Sequence, residues 1–155
     1  GGEEKKEFKH GTIIVATGAH EYQPKDGEYL FGENDKVILQ SELERILFKE
    51  PKKLKDVNTA VMIQCVGSRN EENPYCSSKG CSEAIKNAIK AKKINPKLNV
   101  VILFRDIRTY GFKEKYYNKA REMGIIFLRF DEKNSPEITQ KKTWVIHVTF
   151  MRIKS

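Results

Sequence analysis

The sequence has no long hydrophobic run and no segment with the composition of a secretory leader. None of its apolar stretches approaches the roughly 20 residues that a membrane-spanning helix needs. The N-terminal GGEEKKEFKH is charged where a leader would have an apolar centre. We therefore expect a cytoplasmic protein that makes no contact with membranes.

Cysteine is scarce, with three residues in a chain of 155. An odd number of cysteines without an export signal argues against a disulfide framework and favours reduced thiols or metal ligands. The three histidines show no spacing that would complete a zinc site. No Ser–His–Asp, paired-carboxylate or phosphate-loop pattern is present, so the sequence gives no support for hydrolysis or phosphoryl transfer.

Acidic residues do not balance the basic ones, and the formal net charge is +8. The lysines are nevertheless scattered and interleaved with glutamate and aspartate, and no arginine-rich stripe with interleaved aromatic residues appears. We therefore do not expect a nucleic-acid partner. A hydrophobic content of 39% and a charged content of 32% describe one ordinary globular unit.

The first third of the chain predicts one strand and one short helix. The β-branched run GTIIVATG, residues 11–18, indicates a buried strand followed by a turn. Glycines and a proline in residues 21–35 indicate a loop. Ser41 and Glu44 have the spacing of a capping box for a helix that Pro51 ends.

Residues 60–128 alternate between strand and helix patterns. Strands are predicted at 60–66, 100–104 and 125–128, with an intervening helix from the N-cap Ser82 to Asn95-Pro96 and a second helix at 113–123 that Gly124 closes. Two consecutive right-handed βαβ units follow from this order. The expected fold class is α/β, a three-layer Rossmann-like βαβαβ parallel core with flanking strands.

The two ends of the chain indicate that it is part of a longer protein. Trp144, Ile146, Val148 and Phe150 alternate as in a strand with one buried face, and no partner strand is visible in the sequence. At the other end, a strand such as 11–18 normally closes a domain that was built earlier. We expect residues 1–59 to be the end of such a preceding domain and a linker, and residues 60–155 to be a nucleotide-domain-like βαβαβ unit with a C-terminal strand.

All three cysteines, Cys65, Cys76 and Cys81, fall in the connection between the predicted strand 60–66 and the following helix. Ligands bind at this position in doubly wound α/β proteins, because strand ends and helix N-termini meet there. The glycine fingerprint of a dinucleotide site is replaced by CVGSR. Spacing alone favours simple buried thiols over metal ligands, and leaves both interpretations open.

Four strings make the chain resemble the A subunit of heterodisulfide reductase, an iron–sulfur flavoprotein related to thioredoxin-reductase-like pyridine nucleotide-disulfide oxidoreductases. They are IIVATGAHEYQP, VMIQCVGSRNEENPYCS, AIKNA and FRDIRTYGFKEKYYNKAREMGIIF, and the match runs from His10 to Phe130. The resemblance implies an electron-transfer segment with FAD and an iron–sulfur cluster as cofactors. The implied partners are the other heterodisulfide reductase subunits and a hydrogenase or formate dehydrogenase-type electron donor.

The resemblance also implies a set of site residues. The implied cluster ligands are Cys65, Cys76 and Cys81, with Gly80 at the position where the family has a fourth cysteine. The implied cofactor-binding residues are Ala16, Thr17, Gly18 and Ala19 beside a flavin, Gly67 and Ser68 as a small anion nest, and Arg69 beside a cluster or flavin. The family's amino-terminal flavin fingerprint is absent, so we expect a piece of an oxidoreductase that is inactive in isolation.

Two alternatives remain open at this point. The first is a pyridine-nucleotide-binding domain with incidental cysteines, in which Asp106 and Arg108 would select the ribose substituent. If no nucleotide binds, we expect Asp106 and Arg108 to form a structural pair that caps the next helix. The second alternative is a structural or partner-docking fragment without a cofactor.

Overall fold

A three-stranded parallel sheet organises the chain. The computed structural model describes residues 4–18, 20–141 and 145–149. Strands β1 (Thr59–Ile63), β2 (Asn99–Phe104) and β3 (Ile126–Arg129) lie in the order β1-β2-β3, and the helices α2 (Gly80–Ile94) and α3 (Glu114–Glu122) connect them. The predicted Rossmann-like βαβαβ core is therefore confirmed.

The two faces of this sheet have different environments. Met62, Val100 and Ile102 point to the side of α2 and α3 and belong to one buried core with Ile85 and Ala120. On the other face, side chains of the edge strands remain accessible to solvent: Val61 is 39%, Ile126 49% and Leu128 36% exposed. The centre of this second face is nevertheless covered, since Leu103 of β2 is only 1% exposed.

Helix α1 (Gln40–Lys49) packs against α2, and its buried Leu47 joins the same core as Leu54 from the short 3-10 turn that follows. The capping box predicted at Ser41 and Glu44 is wrong. The helix begins one residue before Ser41, so the Glu42 carboxylate accepts a hydrogen bond from the backbone N–H of Leu39 at 3.0 Å. Glu42 is the third helical residue after the N-cap, which is where a reciprocal carboxylate is required.

Helix α2 begins earlier than predicted and ends where predicted. Its N-cap is Lys79 rather than Ser82, which places Cys81 inside the first turn. At the other end Asn95 is the C-cap, and its side-chain amide donates to the carbonyls of Leu54 and Val57 at 2.9 and 3.1 Å. These bonds tie the end of α2 to the turn that precedes β1.

Gly124 terminates α3 as the sequence predicted. With φ at +76° it takes a left-handed conformation, its N–H bonds to the Arg121 carbonyl, and the N–H of Ile125 bonds to the Ala120 carbonyl. This pair of bonds is the Schellman arrangement, which is why a residue without Cβ is favoured here. The turn leads directly into β3.

The strand predicted at residues 11–18 is not formed. These residues have no hydrogen-bonded ladder partner in the described part of the chain, and Ile13, Ile14 and Val15 are 68%, 86% and 79% exposed. A β-branched run becomes a strand only where a neighbour satisfies its backbone groups. The prediction was right about residue type and wrong about structure because none of the described strands is adjacent.

A hairpin follows the parallel sheet. Strand β4 (Glu137–Lys141) pairs antiparallel with β5 (Val145–Thr149), so the strand that seemed to lack a partner has one. Ile146 and Val148 lie in β5, whereas Trp144 and Phe150 lie outside the described residues. No helix in the described ranges is long and apolar enough to span a membrane.

Candidate functional site

Two loops at the carboxyl ends of β1 and β2 bring the candidate residues together. The first, residues 64–79, carries two of the cysteines and is called the cysteine loop. The second, residues 105–113, connects β2 to α3 through a short 3-10 turn. Parallel strands place both loops at the same edge of the sheet, where α/β proteins bind ligands.

The cysteine loop leaves β1 by an abrupt reversal of the backbone. Cys65, Gly67 and Arg69 have φ values of +66°, +66° and +60°. Left-handed φ is uncommon for residues other than glycine, so the backbone stores strain at Cys65 and Arg69. The reversal is held by a bond from the Ser68 N–H to the Cys65 carbonyl at 3.2 Å and one from the Asn73 amide to the Gly67 carbonyl at 3.3 Å.

Gly67 is covered by the ring of Tyr22, which comes from the loop before α1. A Cβ atom on Gly67 would overlap with atoms of that ring. The Tyr22 hydroxyl donates to Glu28 at 3.0 Å, which holds the ring in place. The N–H of Ser68 bonds to the Cys65 carbonyl within the turn, and the anion nest at Gly67 and Ser68 stays a prediction.

Cys81 is the buried member of the three cysteines. Its thiol donates to the carbonyl of Asp106 at 3.5 Å. Burial raises the pKa of this thiol, and the charges of Cys65 and Cys76 raise it further, while the backbone N–H of Arg108 opposes them. The first turn of α2 is thereby joined to the second loop of the site.

Cys65 and Cys76 are half-buried and free of disulfide bonds. The Cys76 sulfur accepts a hydrogen bond from the N–H of Ser78 at 3.3 Å. Their charges contribute to the raised pKa of Cys81. In the described ranges, no three or more His, Cys, Asp or Glu side chains are placed to hold a metal ion.

Arg69 connects the two loops through its charge. Its guanidinium pairs with Asp106 at 2.7 Å, and Arg129 reaches the same carboxylate at 3.5 Å. Burial lowers the pKa of Arg69, but the bonds to Asp106 and to the Cys65 sulfur outweigh it, so the pKa is raised. The predicted structural pair of Asp106 with Arg108 is wrong, because Arg69 lies directly across the loops from Asp106.

Two nitrogen atoms in this network are buried without a partner among the described residues: Nη1 of Arg69 and Nε of Arg105. Arg105 also donates to the backbone carbonyl of Arg69. Unpaired buried donors cost free energy, and cationic ones favour an anion nearby. Arg69 and Arg105 are themselves paired with Asp106 and Glu132, at 2.7 and 3.8 Å, so these two nitrogen atoms are what the site leaves for a further acceptor.

The residues predicted to contact a flavin lie elsewhere. Ala16, Thr17 and Gly18 belong to the exposed 11–18 segment, nothing approaches within 4 Å of a Cβ placed on Gly18, and Ala19 lies outside the described residues. Among the described residues, no hydrogen bond or ion pair joins this segment to the cysteine loop. The described residues alone do not form a closed flavin site.

Sequence reasoning missed Tyr22 and the pairing of Arg69 with Asp106. The ion pair could have been predicted from the sequence, because opposite charges follow two neighbouring parallel strands and must meet at one sheet edge. Tyr22 had none, since its ring packs on a glycine 45 positions away through a loop without periodic pattern. Arg105 is the third missed residue; its position directly after β2 was the available signal.

Comparison with curated proteins gives a consistent set of relatives, while no family model matches the chain. The A subunit of the H(2)/formate:CoB-CoM heterodisulfide,ferredoxin reductase of Methanococcus maripaludis is 38% identical over 155 aligned residues, covering 91% of this chain and 24% of the relative. The A subunit of the ferredoxin:CoB-CoM heterodisulfide reductase of Methanosarcina acetivorans is 33% identical over 166 residues, covering 82% and 21%.

The chain is homologous to a segment of the heterodisulfide reductase A subunit. A third relative, the iron-sulfur A subunit of the CoB--CoM heterodisulfide reductase of Methanocaldococcus jannaschii, is 38% identical over 140 residues that cover 81% of the chain. The chain spans only 21% to 24% of the length of these three relatives. The resemblance inferred from the CVGSR and DIRTYG strings is thereby confirmed, and those strings are the two loops of the site.

Proposed function

We propose that the cysteine loop binds an iron–sulfur cluster and that the chain is an electron-transfer segment of an oxidoreductase of the heterodisulfide reductase type. The observation that carries the proposal is the position of Cys65, Cys76 and Cys81, all free of disulfides, in the cysteine loop and the first turn of α2, at the ligand-binding edge of the sheet. A cluster supplies one-electron transfer, and its potential depends on nearby charge and hydrogen bonds.

The surroundings of the thiols favour such an anionic group. The N-terminus of α2, a helix of 15 residues, lies at Cys81 and presents the positive end of its dipole. Cys65 contributes to the raised pKa of Arg69, which also carries a buried nitrogen without a partner among the described residues. These groups favour an anionic cluster beside the loop, whereas burial raises the pKa of Cys81, whose thiol would lose its proton on binding the metal.

The fourth ligand must come from outside the three cysteines. Gly80 stands where the family has a cysteine, and a Cβ at this position would meet the Ser77 hydroxyl at 3.2 Å and Gln64 at 3.4 Å. Both contacts involve side-chain atoms that can shift by a few tenths of an ångström. Position 80 therefore has room for a cysteine, and the present chain leaves one coordination position open to another thiol or polar group.

Anaerobic reconstitution with iron and sulfide tests the proposal. We expect the 155-residue chain to bind iron and sulfide, Cys76→Ser to bind less, and Gly80→Cys to bind more and to hold the cluster longer against a chelator. Asn118→Cys is the control, because it adds a thiol at an exposed position of α3, outside the two loops of the site. A colourless protein without iron, or equal loading of all variants, would overturn the proposal.

We further propose that Ala16, Thr17, Gly18 and Ala19 contact FAD only together with the remainder of a longer chain of the same family. The segment 11–18 is exposed in the described structure. Titration of this chain with FAD, followed by flavin fluorescence, should show no tight complex. Stoichiometric binding that survives gel filtration would contradict this assignment.

The electron donors and acceptors are proposed from the relatives' names. Those names include H(2), formate and ferredoxin together with the CoB-CoM heterodisulfide. We propose that this chain works in the same kind of complex, with the heterodisulfide reductase subunits and a hydrogenase or formate dehydrogenase-type donor. A pyridine nucleotide is less well supported, because Tyr22 covers Gly67 and Asp106 is engaged by Arg69.

A further inference from the structure

A groove between α2 and α3 is lined by lysines and has an apolar floor. It has a volume of about 450 Å³. Ile85 and Ile89 of α2 form the floor, and Thr109 and Tyr116 form the opposite wall. We call it the lysine groove, because Lys86, Lys90, Lys93 and Lys113 surround it.

The rim of the lysine groove carries charge that the described residues do not neutralise. Lys86 pairs with Glu44 at 2.8 Å. No ion pair forms within the described part of the chain for Lys90, Lys93 or Lys113. Three cations around an apolar floor repel one another and attract an anionic partner.

The groove also contains an unused polar atom. The hydroxyl oxygen of Ser82, which lines the groove, is buried and has no partner among the described residues. A buried hydroxyl without a hydrogen bond is unfavourable, and an occupant with a carboxylate or amide would satisfy it. The groove therefore favours an occupant that places hydrogen-bond acceptors above an apolar surface.

Exposed aromatic side chains lie in the turn that holds Lys113, a residue lining the groove. Phe112 is 92% exposed and Tyr110 is 72% exposed, both in the turn that precedes α3. Aromatic residues that project into solvent beside a basic rim are typical anchors of protein interfaces. A second depression shares Lys113 with the groove and reaches Arg108 and Cys76. The surface is thus continuous from α2 to the cysteine loop.

We propose that the lysine groove docks an acidic amphipathic helix of a partner protein. Apolar side chains of that helix would cover the ring of Tyr116, which is 51% exposed, and its carboxylates would pair with Lys90, Lys93 and Lys113. This is the helix-in-groove mode of recognition with charge complementarity added. Docking of this helix does not depend on the proposed function. Only its consequence, that the docked partner exchanges electrons near Cys76, rests on that function.

The test measures binding of a fluorescent synthetic helical peptide that has leucine at helical spacing and glutamate elsewhere. We expect saturable binding that weakens with salt, and a loss of roughly tenfold or more in affinity for Lys90→Glu/Lys93→Glu. The matched control is Lys55→Glu/Lys97→Glu, which changes the net charge equally at exposed lysines away from the groove. The control should keep nearly full affinity.

Three outcomes would overturn the proposal. They are absence of peptide binding, equal weakening in both double variants, and tighter binding of a single-stranded oligonucleotide than of the peptide. Phe112→Ala gives a second readout, because so exposed a side chain can be removed without unfolding the chain. It should weaken the peptide complex.

Peptide binding by the Cys76→Ser variant distinguishes a failure of the docking proposal from a failure of the proposed function. If the docking inference holds, the cysteine variant retains the peptide affinity whether or not iron is bound. If the Lys90→Glu/Lys93→Glu variant forms the cluster normally but no longer binds the peptide, the result supports docking. Retained binding by that charge-reversal variant contradicts docking and leaves the cluster assignment intact.

Discussion

At the scale of the residue, Gly67 shows how one side chain controls the cysteine loop. Its left-handed φ of +66° and the Tyr22 ring over its Cα leave no room for a Cβ. We expect Gly67→Ala to lose roughly 1–2 kcal/mol from backbone strain alone and more from displacement of Tyr22. Urea unfolding measures the loss.

Gly124→Ala is the matched control, because Gly124 has a similar φ of +76° and nothing within 4 Å of its missing Cβ. It should show only the backbone part of the cost. The double variant Tyr22→Ala/Gly67→Ala should lose less than the sum of the two single changes, since the clash disappears with the ring. Full additivity would show that the ring does not press on Gly67.

The raised pKa of Cys81 makes the free energy of unfolding depend on pH. Burial, reinforced by Cys65 and Cys76, raises its folded-state pKa, whereas the unfolded thiol titrates near about pH 8.5. The unfolded state therefore loses its proton first. The stability contributed by Cys81 is full below that unfolded value and falls as the pH rises through the folded one.

Unfolding of the metal-free, reduced chain at pH 7 and at higher alkaline pH tests this dependence. We expect the alkaline loss to shrink in Cys81→Ala and to persist in Cys76→Ala, which keeps the buried thiol. An unchanged pH dependence in Cys81→Ala would place its cause in other groups. An increase in stability with pH would contradict the sign.

At the scale of the element, the end of α2 is fastened by one amide. Asn95 donates to the carbonyls of Leu54 and Val57 and caps the helix. Asn95→Ala removes both bonds and leaves the partly buried carbonyl of Leu54 unsatisfied, so we expect a loss of roughly 1–3 kcal/mol. Asn118→Ala, at an exposed position of α3, is the control and should be near neutral. Equal effects would show that the Asn95 bonds contribute nothing.

At the scale of the whole molecule, the face of the sheet opposite the helices is open to solvent at its edge strands. Ile102 is fully buried under the helices, whereas Ile126 on the opposite face is 49% exposed. We expect Ile102→Thr to cost roughly 2–4 kcal/mol. Ile126→Thr should cost less than about 1 kcal/mol and reduce binding of a hydrophobic dye. Comparable losses would show that the second face is equally buried in solution.

Local signals were enough for the parallel core. Helical spacing predicted α2 from the stripe Ala84, Ile85, Ala88 and Ile89. The apolar run 100–104 predicted a strand, and Gly124 predicted the end of a helix. The order of these elements then fixes a right-handed βαβαβ unit. The spacing of the three cysteines and the CVGSR and DIRTYG strings likewise identified the loops of the site and the family to which they are homologous.

Other features required the folded chain. The 11–18 run has the composition of a strand, but a strand forms only beside a partner, and none of the described strands lies there. Ser82 resembles an N-cap, yet the turn at 77–80 starts α2 at Gly80. Tyr22 on Gly67 and Arg69 on Asp106 are contacts between loops, and no local pattern encodes which loop residues meet.

The sequence by itself determined the α/β core, the place of the cysteines at the ligand-binding edge and the relation to heterodisulfide reductase, because periodicity, turn chemistry and long motifs are local properties. Only the tertiary structure decided that Cys81 is buried against the Asp106 carbonyl, that Arg69 lies beside the Cys65 sulfur, and that lysines of α2 and α3 form one groove. Burial and charge pairing depend on distances between segments remote in the chain, which folding alone sets.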